Sequence, residues 1–377
     1  MRGLLFLALI ALATPLASAQ SAVIRGSVAD ASGTSLPGVN VYLSGTTRGT
    51  ATDAEGRFTL NRLSPGVHRI VASMIGFEVS TEDATLAAGD TLELAVELAA
   101  STQALGDVEV RAERDHRWER RFRWFRDQLL GETENAALCT IVNPHVLTFR
   151  SRWGTTTAMA SEPLIIENRA LGYRLTYDLE VFEGSSESLR YHGEEHFDEL
   201  VPSDSGEAAR WAEARETAYR GSMRHLLRSL LSATAEQDGF SLTHTWEDPL
   251  GYRASFGMPN RQIDESDVLR VDSTGWGTIR ARGQLGVEFA EPESSAFLEW
   301  SWFRERRRQP NPTQHSTIRL EGGERIDPQG TPEDPFALTV SGYMAFERLA
   351  DLLPTEFTGS GEIAATEQES LVSPVHR

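Results

Sequence analysis

The sequence contains no lysine and a single cysteine, so all 36 basic residues are arginine and no disulfide can form within the chain. Acidic residues number 55, which gives a formal net charge of -19. Because this much negative charge repels phosphate backbones, the composition predicts no nucleic-acid partner. After the N-terminal segment no apolar run approaches about 20 residues, so no transmembrane helix is expected.

The single cysteine, Cys139, lies within the apolar segment 136–142. A thiol with apolar neighbours is more often a small buried hydrophobe than a nucleophile. We therefore predict that Cys139 has a structural role. Without disulfides, the stability of the chain must come from packing.

Residues 1–19 have the layout of a secretory signal peptide. Arg2 precedes an apolar run over residues 4–13, and Ala17-Ser-Ala19 offers small residues at the cleavage position. The apolar run is too short to cross a bilayer comfortably. The segment predicts an exported protein.

Residues 36–77 have the pattern of a small β module. Runs rich in Val, Tyr, Ile and Phe at 39–43, 57–60 and 68–74 alternate with turn residues. This spacing is typical of an antiparallel sandwich. Asp53-Ala-Glu-Gly56 marks the sharpest turn, because Asp accepts backbone hydrogen bonds and Gly tolerates positive φ.

Five motifs follow one another within residues 22–98: Ile24-x-Gly26-x-Val28, Leu36-Pro37-Gly38-Val39-x-Val41, Thr52-Asp53-x-x-Gly56-x-Phe58, Leu63-Ser64-Pro65-Gly66 and Gly76-Phe77. Through them this region resembles the carboxypeptidase regulatory-like domain, a transthyretin-like fold. The resemblance implies a seven-stranded antiparallel β-sandwich with no catalytic, cofactor-binding or metal-binding residue. Such domains accompany carboxypeptidases and begin TonB-dependent outer-membrane receptors. An envelope location, in the periplasm or at the outer membrane, is therefore expected.

A polar linker, residues 99–112, leads to a segment in which arginines alternate with aromatic residues. Seven arginines lie between residues 111 and 126. One apolar stripe at helical spacing consists of Trp118, Phe122, Phe125 and Leu129, and Gly131 can end the helix. The pattern favours a helix docked on a sheet with its arginines in solvent. The alternative is a basic amphipathic helix that lies on an anionic membrane through Arg117 to Arg126.

Residues 113–357 are predicted to form a second β-rich domain with two or three docked helices, followed by a disordered tail at 358–377. A strict alternation of apolar and polar residues over 171–181 predicts a long strand with one buried face. Further strands are predicted at 189–191, 240–245, 268–271, 285–289, 297–303 and 317–320, and helices at 206–231 and 342–353. The fold class is therefore α+β, mostly β.

Five short pieces of this second region carry another likeness: Phe125-x-x-x-Leu129-Leu-Gly131, Cys139-x-Ile141-x-Asn143-Pro144, Glu167-Asn168-x-x-Leu171-Gly172-Tyr173, Tyr219-x-Gly221-Ser222 and Arg348-x-Ala350-Asp351-Leu352-Leu353-Pro354. Through them residues 118–357 resemble the uncharacterised region that follows the regulatory-like domain in a group of exported bacterial proteins. That resemblance implies no activity and no catalytic residue.

The segment His192-Gly-Glu-Glu-His196 satisfies H-x-x-E-H, the inverted zincin pattern. In that chemistry both His bind zinc and Glu195 is the general base, which requires a helix. The third ligand would come from a downstream helix: Glu207, Glu213 or Glu216. Gly193 and the strand-like residues before it instead favour a strand, which predicts no metal site.

Aromatic residues cluster at Phe297, Trp300, Trp302 and Phe303. They could form a platform for a sugar ring, but a strand with aromatics on both faces is more often part of a core. We therefore expect them to be buried.

The sequence thus predicts an exported, non-enzymatic binding or accessory protein of the cell envelope, with no cofactor. Its partner would be an envelope protein or glycan, with peripheral membrane contact as a further possibility. The alternatives are a zinc hydrolase built on His192, Glu195 and His196, and a membrane-surface adaptor that uses the Arg-rich helix.

Overall fold

The computed structural model describes residues 21–101, 116–245, 261–306 and 309–359. The predicted signal peptide, most of the predicted linker and residues 360–377 of the predicted tail lie outside these ranges. Within them the chain forms 21 strands and six α-helices, so the fold is mostly β, as the sequence predicts. No helix in these ranges is long and apolar enough to cross a membrane.

The N-terminal region is a sandwich of seven strands: β1 (Ala22–Asp30), β2 (Asn40–Leu43), β3 (Gly49–Ala51), β4 (Arg57–Leu63), β5 (Gly66–Ser73), β6 (Ser80–Leu86) and β7 (Thr91–Leu98). One sheet has the order β4-β1-β7 and the other β3-β2-β5-β6. The strand count matches the prediction. One strand pairing differs from the predicted antiparallel sandwich, because β1 and β7 run parallel.

Apolar residues at alternate positions fill the space between these two sheets, among them Ile24, Val41 and Phe58. The predicted turn before β4 is confirmed. Asp53 accepts hydrogen bonds from the backbone N–H groups of Glu55 and Arg57. Gly56 has a φ of +75°.

The second region begins with α1 (His116–Leu130), followed by β8 (Cys139–Ile141), β9 (Leu147–Arg152), β10 (Thr155–Ala160), β11 (Leu164–Asn168), β12 (Tyr173–Gly184) and β13 (Leu189–Glu199). These strands form one sheet of order β8-β11-β12-β10-β9, and β13 also pairs with β12. The predicted long strand is β12. Its register with β13 shifts between Leu179 and Val181, so Glu180 is the extra residue of a β-bulge.

The helix α1 lies on this sheet through its apolar stripe. Phe125 and Leu129 are fully buried, and the Trp118 indole N–H donates to the Leu147 carbonyl at 3.1 Å. Gly131 follows the helix with a φ of +91°. The prediction of a helix docked by its aromatic stripe is confirmed.

The rest of the described chain contains α2 (Ser205–Tyr219), α3 (Met223–Ser232), β14 (Phe240–Thr245), β15 (Arg261–Gln262), α4 (Glu265–Val268), β16 (Leu269–Val271), β17 (Gly277–Ile279), β18 (Gly283–Phe289), α5 (Ser295–Glu305), β19 (Gln314–Leu320), β20 (Arg325–Ile326), β21 (Thr339–Gly342) and α6 (Tyr343–Phe346). A five-stranded sheet has the order β15-β14-β18-β19-β21, and a small sheet has the order β16-β17-β20.

Three predicted elements were wrong. The single helix at 206–231 is two helices, because Gly221 has a φ of +79° and Ser222 caps α3. The strand at 297–303 is α5, which begins where the Ser294 hydroxyl accepts a hydrogen bond from the Phe297 N–H. The helix at 342–353 is the one-turn α6, an extended Glu347, and the 3-10 turn Leu349–Asp351.

Candidate functional site

The H-x-x-E-H segment lies on β13, in an extended strand. Alternation along a strand places His192, Glu194 and His196 on one face. That face is turned toward the sandwich. The Arg69 guanidinium lies 3.3 Å from Glu194, and the Tyr42 ring packs against the His196 ring with centroids 5.1 Å apart.

This geometry does not form the inverted zincin site. Four residues of extended strand separate His192 from His196 by about 13 Å, so the two imidazoles cannot share one ion. Glu195 lies on the opposite face, beside Phe197, which packs edge-on against Tyr173 in the core. The strand expected from Gly193 is confirmed, and the zinc hydrolase built on these residues has no site here.

The glutamates predicted as third ligands lie on α2. Glu207 belongs to its first turn and accepts a hydrogen bond from the Ser203 N–H at 2.6 Å. The cluster of potential metal ligands that the described residues do form contains neither Glu207, Glu213 nor Glu216.

The turn between β2 and β3 docks the sandwich onto β13 through main-chain hydrogen bonds. Gly45 N–H donates to the Glu195 carbonyl at 2.8 Å, and Phe197 N–H donates to the Thr46 carbonyl at 3.0 Å. From the other side, Thr355 N–H donates to the Gly45 carbonyl at 2.7 Å. The turn is therefore held between β13 and the C-terminal segment of the second region.

A polar cluster lies beside this turn, between β12 and the sandwich. Asp178 is buried and accepts hydrogen bonds from the Tyr42 hydroxyl at 2.7 Å and the Ser73 hydroxyl at 3.3 Å. Burial raises the pKa of Asp178, and the two donors oppose that rise. Because Glu194 is also buried here, the contact encloses two carboxyl groups opposite one guanidinium, that of Arg69.

The opposite face of β13 encloses another acid. Burial raises the pKa of Glu195 to about 7, and the charge of Glu194 adds to the rise. The positive charge of the Arg224 guanidinium lowers the pKa of Glu195, but by less than burial and Glu194 raise it. The Glu195 carboxylate lies beside the docking turn, where a Cβ atom on Gly45 would be 3.4 Å from its Oε1 atom.

Three side chains at the bulge of β12 form the cluster that could hold a metal. Their ligand atoms, from Glu180, His192 and Glu194, all lie within 4.8 Å of one another. The His192 Nε2 atom is 3.7 Å from Glu180 Oε2 and 3.9 Å from Glu194 Oε1.

A basic face lies elsewhere, where α1 meets the β9–β10 hairpin. One cleft of about 400 Å³ has arginines of α1 on one side and strand ends on the other. Its lining residues are Arg117, Arg120, Arg121, Trp124, Gly154, Thr156, Gly184, Ser185 and Ser186. Trp153, at the hairpin tip next to Gly154, is 90% exposed. We call these cleft residues, together with Trp153, the Arg-Trp face.

The aromatic residues considered as a sugar platform lie on α5. Phe297 is buried against Phe346, with ring centroids 5.5 Å apart, and Trp300 packs against the same ring. These two therefore belong to a core cluster, as expected. Trp302 is 42% exposed, and the side chain of Phe303 lies outside the described residues.

Cys139 is buried, as predicted. Burial and the charge of Asp351 raise the pKa of its thiol to about 12. A thiol with this pKa is protonated at neutral pH, so it is a poor nucleophile.

Sequence reasoning missed the residues of the docking contact: Tyr42, Arg69, Asp178 and Glu194. Each of these residues fits the ordinary alternation of polar and apolar residues along its strand, so its position alone does not indicate a contact. A local signal was Gly49 on β3, where a Cβ atom would lie 2.8 Å from His196 Cε1. A glycine in a strand marks such a close approach.

Residues 24–110 match the family model of the CarboxypepD_reg-like domain. The sandwich is a CarboxypepD_reg-like domain. The match extends beyond β7, which ends at Leu98, into residues outside the described ranges. The sequence prediction of this regulatory-like domain is confirmed.

No curated protein matches the chain. Among solved structures, the chain is similar to the Bacillus anthracis TIE protein (15% identity, 22% of this chain and 17% of that chain, TM-score 0.20). It is also similar to 3-chlorocatechol 1,2-dioxygenase from Rhodococcus opacus 1CP (13% identity, 22% and 61%, TM-score 0.20). A DUF3823 family protein from Parabacteroides merdae aligns over more of the chain (11% identity, 51% and 84%, TM-score 0.19).

The matched part spans 17% of the Bacillus anthracis protein and 61% of the dioxygenase, less than two thirds of either. At TM-scores near 0.2 these likenesses carry no argument about function.

Proposed function

We propose that the chain is an exported, non-enzymatic binding or accessory protein of the cell envelope, and that it attaches to an anionic membrane surface through the Arg-Trp face. The observation that carries the proposal is the position of exposed Trp153 beside a cleft lined by three arginines of α1. Among the described residues, no acidic side chain pairs with Arg120 or Arg121. Such a basic face is unusual on a chain with a net charge of -19.

Physical chemistry favours a lipid surface as the partner of this face. An arginine near an anionic leaflet contributes about 1 kcal/mol, and tryptophan prefers the headgroup region. The apolar stripe of α1 is buried on its own sheet, so attachment would be peripheral and not by helix insertion. Distant acidic residues are screened beyond about 8 Å at physiological salt.

The non-enzymatic part of the proposal is supported by the geometry of β13. The hydrolase alternative needs both imidazoles of the H-x-x-E-H motif on one ion, and an extended strand separates them. The expected signal peptide and the regulatory-like domain support the envelope location.

Co-sedimentation with vesicles tests the attachment. The purified chain should bind phosphatidylglycerol vesicles and not phosphatidylcholine vesicles, with affinity that falls as salt rises. The double variant Arg120→Gln/Arg121→Gln should lose about 2 kcal/mol, which is about 30-fold in affinity. Trp153→Ser should weaken binding with a smaller change in salt dependence.

Matched controls exclude a general charge effect. Arg25 and Arg270 are exposed on β1 and β16, away from the cleft. The double variant Arg25→Gln/Arg270→Gln makes the same charge change and should bind like the parent chain, as should Trp302→Ser. Equal losses in both double variants, or equal binding to both lipids, would rule out the Arg-Trp face as the attachment site.

A further inference from the structure

Side chains of β12 and β13 lie close together at the bulge in β12. Glu180 is the extra residue of this bulge and lies between the pairs Leu179–Gly193 and Val181–His192. A bulge redirects the side chain that it carries. Here the Glu180 carboxylate oxygen lies 3.7 Å from His192 Nε2.

We propose that Glu180, His192 and Glu194 bind one divalent transition-metal ion, with zinc as the best-fitting ion. One imidazole and two carboxylates form a donor set that zinc accepts in proteins. Zinc bonds of about 2.0–2.1 Å place tetrahedral ligand atoms about 3.4 Å from one another. The observed separations of 3.7 Å and 3.9 Å from Nε2 are a few tenths of an ångström longer.

The cluster has a closed side and an open side. The Glu194 side chain is 4% exposed and His192 is 21% exposed, whereas Glu180 is 43% exposed. An ion can therefore enter from the Glu180 side, where water can complete its coordination. The His192 ring also packs edge-on against Phe336, with centroids 5.9 Å apart, which restrains its orientation.

The charge balance of the surroundings favours a cation. Asp178 and Glu194 are buried in the docking contact, and Arg69 is the guanidinium that faces Glu194. Arg69 also pairs with Asp83 at 3.0 Å, so it keeps a partner if Glu194 turns to a metal. The ion would join β12 to β13 beside the sandwich, which is a structural role without a catalytic step.

The second histidine of the motif, His196, provides an internal control. His192 and His196 lie on the same face of β13, but only His192 belongs to the cluster. His196 instead packs against Tyr42 and lies 3.6 Å from Asp198. An ion bound to the H-x-x-E-H motif would need both imidazoles, whereas the proposed site needs one.

Zinc titration of the EDTA-treated, purified chain tests the proposal, with the metal content measured after dialysis. The parent chain should bind one zinc ion, and its melting temperature should rise when zinc is added. His192→Ala and Glu180→Gln should each weaken binding at least about tenfold. Glu180→Gln keeps the shape of a half-exposed side chain, so its metal-free melting temperature should match that of the parent.

His196→Ala should bind zinc like the parent chain. Arg69→Gln should bind it more tightly, because the guanidinium that competes for Glu194 is gone. Unchanged affinity in both His192→Ala and Glu180→Gln would overturn the site. An equal loss in His196→Ala would assign the ion to another arrangement, and weaker binding in Arg69→Gln would remove Glu194 from the ligand set.

Discussion

Removal of one hydroxyl group tests whether the polar cluster holds the sandwich on the second region. In Tyr42→Phe the ring stays and the donor to Asp178 is lost. Both residues are buried, with Tyr42 2% exposed and Asp178 6% exposed, so water cannot easily replace the missing bond. The Ser73 hydroxyl, at 3.3 Å, remains as the second donor.

A hydrogen bond to a charged group contributes about 1.5–3 kcal/mol to stability. Because one of two donors remains, we expect Tyr42→Phe to cost about 2 kcal/mol near neutral pH. Burial raises the pKa of Asp178 above 3.8, so the folded state keeps this proton to higher pH than the unfolded state. The Tyr42 donor opposes that rise, and its loss raises the pKa further. The cost of the variant should therefore grow as pH rises through the raised pKa of Asp178 in the folded parent chain.

Two spectroscopic probes can follow the two regions separately. All eight tryptophans follow residue 117, so tryptophan fluorescence reports on the second region, while far-UV circular dichroism reports on both. In urea, the two transitions should coincide for the parent chain and separate in Tyr42→Phe, because a weakly docked sandwich unfolds independently.

The double variant Tyr42→Phe/Asp178→Asn completes a mutant cycle. Its coupling energy should be about 1.5–3 kcal/mol at neutral pH and smaller at pH 4. A loss below about 0.5 kcal/mol in Tyr42→Phe, with coincident transitions and no coupling, would refute the role of this cluster in docking.

Three further predictions concern buried groups. The pKa of Glu195 is about 7 in the folded state against 4.5, so this group should lower the stability to urea by about 3 kcal/mol between pH 4.5 and 7. Glu195→Gln should remove that part of the pH dependence and leave the part that comes from Asp351, whose pKa is also raised. The Cys139 thiol should react with Ellman's reagent only after unfolding, because its pKa is about 12 and its side chain is buried. Gly172→Ala should destabilise the chain about 2 kcal/mol more than Gly33→Ala. Both glycines have positive φ, but only at Gly172 would a Cβ atom lie 2.4 Å from the Trp211 ring. Equal losses of stability in the two variants would show that the clash is relieved.

Local patterns predicted the elements that depend on local physics. The sandwich strands and α1 combine clear periodicity with turn or stop residues such as Gly56 and Gly131, so sequence and structure agree there. Sequence and structure disagree over residues 297–303, because the alternating aromatic residues of this segment are typical of a strand. The deciding signal was the capping residue Ser294, which lies outside the aromatic run.

The docking contact could not be predicted from one sequence. Tyr42 and Asp178 are 136 residues apart, and nothing in either strand indicates its partner. The H-x-x-E-H motif shows the same limit for a candidate site. The motif contains His192 and Glu194, but only the pairing of β13 with β12 shows that Glu180, which lies outside the motif, is close to them.

The Arg-Trp face and the docking contact can be varied independently, which makes the two roles separable. The cleft is lined by α1, the β9–β10 hairpin and the β12–β13 turn, whereas docking uses Tyr42, Arg69 and the polar faces of β12 and β13. The two sets share no residue. If the sandwich serves only as a rigid support for the second region, Tyr42→Phe should leave vesicle binding unchanged while it weakens docking. If vesicle binding falls together with docking, the regulatory-like domain itself takes part in the contact, and its exposed strands become the next surface to vary.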